Sequence, residues 1–221
     1  MTAVIAAAGS GERLGAGGPK AFVSLGGRPM ISWSLDACLA CGSVTTVVVA
    51  VPVGHAHDLQ DVVMVDGGAT RAESVSNALA AVDTELVAIH DAARPLLTPE
   101  LLDDLVAELV ANPDADGVIT AAPVTDTVKK VRVELPLDSN GNSTRIIDGT
   151  LDRSELWAAQ TPQVFRTEAL RSALKAGNSV TDEAMLIEAA GGTVLIHDSG
   201  LPNLKVTTPI DLSVAELLLG R

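Results

Sequence analysis

The chain has 221 residues, a formal net charge of −13, 47% hydrophobic and only 2% aromatic residues, and a sequence pI of about 4.5. This length suits one α/β domain with an embellishment, or at most two small domains, and so acidic a balance excludes a nonspecific binder of nucleic acid or of an anionic membrane surface. The core must be built from Val, Leu, Ile and Ala, and an anionic substrate must be met by local positive charge against the global field.

Taken in order, the chain starts with a short apolar run, Thr2 to Ala8, long enough for a buried strand and too short for a membrane span. It has no basic n-region, which argues against a signal peptide, and no transmembrane run follows, so a cytoplasmic protein is expected. A glycine-rich loop comes next, Gly9-Ser10-Gly11-Glu12-Arg13-Leu14-Gly15-Ala16-Gly17-Gly18-Pro19-Lys20. Small residues let the backbone N–H groups of such a loop approach a ligand, and successive N–H groups form a concavity that suits phosphate oxygens. Arg13 and Lys20 add full charges, so the loop is predicted to hold an anionic phosphate chain. The dinucleotide fingerprint fails here: Leu14 stands where the third glycine belongs, and the second strand ends at Ala50-Val51-Pro52 without an acid. The Walker loop fails as well, because Lys20 is followed by Ala21. A nucleotidyltransferase loop, Ala-Ala-Gly-x-Gly-x-Arg followed by Pro-Lys, fits.

Arg28-Pro29 is predicted to open a helix running to about Cys41, with proline at a favourable first position. Cys38 and Cys41 fall near its end, away from the helix N-terminus where redox thiols sit, and are assigned to packing. Thr46 to Val51 is the second strand, and Val53 to Gln60 a loop or short helix whose His55 and His57 are read as solvated. Val62 to Val65 is the third strand, feeding a second glycine turn, Asp66-Gly67-Gly68-Ala69-Thr70, and a helix that carries Arg71 and Ser74 on one face. Leu86 to Ile89 is the fourth strand, followed by His90-Asp91-Ala92-Ala93-Arg94-Pro95. An acid at a strand end beside a phosphate loop is a candidate for magnesium, which takes one or two carboxylates plus substrate phosphates, although Asp91 could equally pair with Arg94. Thr98-Pro99-Glu100 starts a further helix, and Val118 to Ala122 is the fifth strand.

Residues 123–160 break this rhythm with two β-like runs, Thr127 to Val133 and Thr144 to Asp148, around the turn signal Asp138-Ser139-Asn140-Gly141-Asn142. A two-stranded ribbon is marginal alone, so this arm, at about 124–155, is expected to pack on another subunit. Thr167 to Ala176 is helical, Thr181-Asp182-Glu183 caps a helix to about Ala190, and Thr193 to His197 is a strand. Asn203 to Thr207 reads as a short strand, and Thr208-Pro209-Ile210-Asp211 starts a closing helix. Apolar strands alternating with helices predict an α/β fold with a mostly parallel sheet covered on both faces. Within residues 1–100 the only basic residues are Arg13, Lys20, Arg28, Arg71 and Arg94, and all but Arg28 follow a predicted strand, where open α/β sheets bind ligands.

As an ordered set, the motifs Ala7 to Arg13, Pro19-Lys20, Gly67-Gly68 with Arg71 and Ser74-Val75, His90 to Pro95, Asp126 to Lys129, Asp148 to Arg153, Gln160 to Gln163, Thr181 to Ala184 and Asn203 to Thr207 resemble the 2-C-methyl-D-erythritol 4-phosphate cytidylyltransferases of non-mevalonate isoprenoid biosynthesis. The resemblance covers nearly the whole chain. It implies a Rossmann-like nucleotidyltransferase fold over residues 1–221 and a homodimer whose arms clasp. It further implies CTP as co-substrate, Mg2+ as cofactor, and transfer of a cytidylyl group to a sugar-alcohol phosphate. By motif match, Arg13 and Lys20 would stabilise the transition state. Arg153 and Lys205 would position the acceptor phosphate, with Thr127 from the partner's arm beside them. Gly67, Ala69 and Ser74 would meet the cytosine, and Asp91 the ribose or metal. Ala7, Ala8, Gly9, Gly11, Arg71, Ala92, Arg94, Thr161 and Thr181 would complete the substrate contacts.

A cytidylyltransferase for another polyol phosphate, such as ribitol 5-phosphate, shares this loop chemistry. An NAD-dependent oxidoreductase is disfavoured by the failed fingerprint, and a nucleotide-binding regulator by the full set of acceptor residues.

Overall fold

The computed structural model describes residues 1–9, 11, 14, 18–54, 59–134, 143–176, 182–200 and 202–220. Arg13, Thr181, the pair His55 and His57, and the turn at 138–142 lie outside them.

The first apolar run forms β1 (Thr2–Ala6) near the middle of a seven-stranded sheet. Two short strands, β2 (Ser24–Leu25) and β3 (Arg28–Pro29), make a small hairpin of their own. The main sheet continues with β4 (Thr46–Val51), β5 (Val63–Asp66), β6 (Leu86–Asp91) and β7 (Gly117–Pro123). Then come the arm strands β8 (Lys129–Glu134) and β9 (Thr144–Thr150), and finally β10 (Trp157–Arg166) and β11 (Val194–Asp198). The main sheet runs β11-β7-β10-β6-β1-β4-β5. All its pairings are parallel except those of β10, which is antiparallel to both β6 and β7.

Helices cover both faces, and the strands' side chains divide between them by alternation. Ala3, Ile5, Val47, Val49, Ala88 and Val164 point to one side, against α1 (Ile31–Ala40) and α3 (Pro99–Ala111). Val4, Val48, Val87, Ile89 and Phe165 point to the other, against α2 (Arg71–Leu79), α4 (Thr167–Lys175) and α5 (Glu183–Ala189). The closing helix α6 (Pro209–Leu218) starts on a capping box between Thr208 and Asp211 and joins a third, smaller cluster around Leu25 and Met30. Cys38 and Cys41 are free, buried thiols in the first cluster, and burial pushes the Cys38 thiol up to about 12, which suits packing rather than redox work.

Two expectations need correction, and one central strand has no counterpart in the sequence reading. Pro29 does not open a helix: Gly26 and Gly27 both take positive φ (60° and 83°), the two-residue loop of a tight hairpin, so Arg28-Pro29 folds back on Ser24-Leu25 and the helix begins at Ile31. Asn203 to Thr207 is not a strand; it is an irregular segment whose Val206 N–H donates to the Ala93 carbonyl. The third difference is β10, a central strand that the sequence hides. Pro162 and its polar neighbours look like a loop, but the register shifts between Ala159 and Gln163, which takes the proline out of the hydrogen-bond ladder.

Candidate active site

The chain leaves β1 at the carboxyl edge of the sheet, where Ala7 N–H still donates to the Ala50 carbonyl at 3.0 Å. The glycine loop then closes on itself: Lys20 N–H donates to the Gly9 carbonyl at 3.1 Å and Leu14 N–H to Gly11 at 2.8 Å. Gly11 has φ +72°, and a side chain there would stand 2.7 Å from Lys20 Cβ. Glycine at this position therefore lets Lys20 fold over the loop.

The second glycine turn packs on the first. Gly67 N–H donates to the Val51 carbonyl at 2.7 Å, and a Cβ on Gly67 would meet Ala8 Cβ at 2.3 Å. Beyond it Ser74 Oγ accepts from Gly68 N–H at 3.0 Å and donates to the Thr70 carbonyl at 2.9 Å. Thr70 caps α2, its hydroxyl accepting from Glu73 N–H, which fixes the start of the helix and the place of Arg71 one residue on.

Between the two loops and the end of β6 lies a cavity of about 610 Å³. Its wall takes in Ala7, Ala8, Gly9, Gly11 and Lys20 from the first loop; Ala69, Arg71 and Ser74 from the second turn and α2; Asp91 and Ala92 from the end of β6; and Lys205. Asp91 is the hub. Arg71 Nε donates to its Oδ1 at 2.8 Å and Lys205 Nζ to its Oδ2 at 2.6 Å. Arg71 Nη1 also donates to both oxygens of Glu183, each at 2.8 Å. Burial pushes the Asp91 carboxyl up, but the Arg71 and Lys205 charges outweigh it and hold the group well below the usual carboxylate range. Burial likewise works against the Arg71 charge, and Asp91 and Glu183 overcome it, leaving the guanidinium firmly protonated. For Glu183 burial wins and its carboxyl is raised, with Arg71 opposing the shift.

Asp91 is held from behind. Its N–H donates to Thr161 Oγ1 at 3.0 Å, and that hydroxyl lies 3.3 Å from His90 Nδ1. Burial lowers the His90 imidazole to about 4, so it is neutral at pH 7, with Nε2 3.1 Å from the Arg94 carbonyl. Arg94 Nη1 donates to the Asn203 carbonyl at 2.5 Å, and Asn203 Nδ2 to the Thr161 carbonyl at 2.8 Å. This buried lattice ties β6, β10 and the segment before Lys205 together.

Eleven of the residues expected at the site therefore share one wall: Ala7, Ala8, Gly9, Gly11, Lys20, Ala69, Arg71, Ser74, Asp91, Ala92 and Lys205. Gly67, Arg94 and Thr161 sit behind it as supports. Thr127 and Arg153 are exposed on the arm, where Arg153 Nη1 donates to the Thr125 carbonyl, and neither lines the cavity. Glu183 is absent from the site residues that the sequence points to. Its helix-start motif is visible there, but the burial of its carboxylate against Arg71, 112 positions away, is not.

Chemically, the cavity offers backbone and three cations, Lys20, Arg71 and Lys205, to an anion. A divalent ion fits as well. Among the described residues no group of three or more His, Cys, Asp or Glu gathers to hold a metal alone. Asp91 is a carboxylate with lone pairs beyond the two bonds it accepts, which matches the way magnesium is held by one or two carboxylates plus substrate phosphates.

Residues 1–221 match the family model described as 2-C-methyl-D-erythritol 4-phosphate cytidylyltransferase. Proteins of that name from Synechococcus sp. (strain CC9902) and Prochlorococcus marinus (strain MIT 9313) are each 42% identical over 234 aligned residues, covering 100% of this chain and 98% of theirs. The crystal structure of 2-C-methyl-D-erythritol 4-phosphate cytidylyltransferase from Thermus thermophilus superposes with a TM-score of 0.79 at 30% identity, covering 100% of this chain and 98% of that one.

Proposed function

The chain belongs to the 2-C-methyl-D-erythritol 4-phosphate cytidylyltransferase family, and from that premise we propose that the cavity beyond β1 and β6 performs the family's reaction. The enzyme joins CTP and 2-C-methyl-D-erythritol 4-phosphate to give 4-diphosphocytidyl-2-C-methyl-D-erythritol and pyrophosphate. A phosphate oxygen of the acceptor attacks the α-phosphorus of CTP. The new P–O bond forms as the α–β bond breaks, and pyrophosphate departs with the electron pair. The attacking phosphate is already ionised at neutral pH, so no general base is required. The barrier is the repulsion of two anions and the charge that builds on the α- and β-phosphates, and preorganised cations lower it electrostatically.

In this scheme the glycine loop and Lys20 cradle the triphosphate, with Arg13 completing that group. The second glycine turn, through Gly67, Ala69 and Ser74, meets the cytosine. Lys205 and Arg153 hold the acceptor phosphate, with Thr127 of the arm beside them. Magnesium, held by Asp91 together with the phosphates, would screen charge on the triphosphate. The arm, residues 124–155 of a single nucleotidyltransferase domain, joins two chains into a homodimer. Its exposed Val131, Val133, Ile147 and Leu151 support that role, since a lone ribbon has nothing to cover such side chains. The enzyme acts in the cytoplasm on small molecules, and no helix among the described residues is long and apolar enough to cross a membrane.

The observation that carries this proposal is the convergence of Lys20, Arg71 and Lys205 on one cavity beside the glycine loop, in a chain of net charge −13. Pyrophosphate release from CTP, measured with a panel of alcohol phosphates that includes ribitol 5-phosphate, tests it. Release is expected with 2-C-methyl-D-erythritol 4-phosphate, and preference for another acceptor would overturn the assignment.

A further inference from the structure

Four charged side chains alternate in sign across the site, Glu183–Arg71–Asp91–Lys205, and three of them line the cavity. The fourth, Glu183, does not reach it. Its side chain is only 3% exposed, and both of its oxygens are spent on Arg71 Nη1. Burying a carboxylate is costly unless a partner compensates; because Lys205 shares the Asp91 carboxylate with Arg71, Glu183 completes a balance of two cations and two acids. Charge balance alone does not say where each cation sits, and the bonds of Glu183 to a single arginine nitrogen add a geometric effect.

That geometry is informative. A guanidinium is a planar fork that takes a carboxylate bidentately when it can. The nitrogen that shares a fork with Nε is Nη2; Glu183 holds Nη1, on the other side of the guanidinium, and in that orientation Arg71 contacts Asp91 through Nε and Oδ1 alone. The other Asp91 oxygen, Oδ2, takes the 2.6 Å bond from Lys205. Two carboxylates pulling on different nitrogens fix both the place and the plane of the arginine. Without the Glu183 charge the guanidinium would be free to turn, bring Nη2 beside Nε onto Asp91, and compete with Lys205 for Oδ2.

We infer that Glu183 is a positioning residue for the transfer reaction: by dividing Arg71 between two carboxylates, it reserves one oxygen of Asp91 for Lys205 and so sets where the Lys205 ammonium meets the acceptor phosphate. This rests on the role given to Lys205 above. Glu183 acts through Arg71 and Asp91 and touches no substrate.

Glu183→Gln keeps the size of the side chain and removes its charge. We expect kcat to fall by about tenfold to a hundredfold, less than the loss from deleting a donor that contacts the reacting groups, while the KM for CTP changes little. If Glu183 acts through Lys205, the double variant E183Q/K205A should be no slower than K205A alone. Glu183→Asp, which keeps the charge on a stem too short to hold Nη1 in the same place, should lose less than E183Q while staying below wild type. A folded E183Q with wild-type kcat, a double variant whose loss is the product of the two single losses, or an E183D no better than E183Q would each overturn the inference. Should E183Q fail to fold, E183D decides: lowered kcat at unchanged KM for CTP supports the role, and unchanged kcat overturns it. Wild-type enzyme in the same assay tests the underlying reaction separately, since its failure to release pyrophosphate from CTP and the acceptor would remove the reaction rather than the residue's role in it.

Discussion

Adding one methyl group at Gly67 should injure the site through a contact that can be stated in ångströms. The Cβ of Gly67→Ala would stand 2.3 Å from Ala8 Cβ, and 3.1 Å from both Ser74 Oγ and the Val51 carbonyl oxygen. Non-bonded carbons settle about 3.5–4.0 Å apart, so the two methyl groups are more than about 1 Å too close. Neither can rotate away, because each Cβ is fixed to its backbone, and one of the two loops must move. Gly67 is tethered by its 2.7 Å bond to Val51, and Ala8 leads into the glycine loop, so the strain should displace the cavity wall. Overpacking of this kind costs about 1–3 kcal/mol of stability, and a displacement of about 1 Å at a reacting centre can cost about a hundredfold in rate. Urea unfolding and steady-state CTP kinetics measure the two losses. Ala8→Gly in the same chain removes the offending methyl group and should recover most of both. A folded G67A with near-normal kinetics, or a double variant no better than G67A, would refute the reasoning.

Lys20→Ala should leave a folded protein with turnover reduced about a hundredfold to a thousandfold, the loss expected for one preorganised donor; stopped-flow or endpoint pyrophosphate assays at saturating CTP read it. If Arg153 acts across the proposed dimer, mixing Arg153→Ala subunits with Lys20→Ala subunits should restore some activity, and mixtures as inactive as the parents would show that each site is built from one chain. Folding stability should fall in mild acid. His90 is neutral in the fold and titrates near 4, against 6.5 when exposed, so the unfolded chain binds the extra proton. Its contribution is present above about pH 6.5 and is lost as pH falls toward 4, at a limiting slope of about 1.4 kcal/mol per pH unit. Denaturation midpoints measured between pH 7 and 4.5 should show the decline.

The parts of the site that lie close in sequence are legible without the fold. The glycine loop with Lys20, the Gly67-Gly68 turn before Arg71, and Asp91 at a strand end each carry a local signature, because turns and strand ends are decided within a few residues. What stays hidden depends on contacts across the fold. Nothing near Glu183 announces that its carboxylate is buried on Arg71, and nothing near Arg94 shows that its guanidinium reaches the Asn203 carbonyl. Strand β10 escapes detection because Pro162 normally argues against a central strand, and only the register shift reconciles the two. The start of α1 is misplaced from sequence because proline favours both a helix's first turn and an extended segment, and the positive φ of Gly26 and Gly27 chooses the latter.

The reversed direction of β10 has a consequence for how this protein can change. Because Pro123 at the end of β7 pairs with Trp157 at the start of β10, the polypeptide departs from the sheet and returns to it at one doorway. Among the described residues, those between the two make a detour that no other strand of the sheet depends on for its hydrogen bonds. Such a detour can be lengthened, shortened or rewritten while the scaffold behind it keeps its register. The doorway opens on the same carboxyl rim as the cavity, so the detour can be revised beside the site while the scaffold keeps its fold.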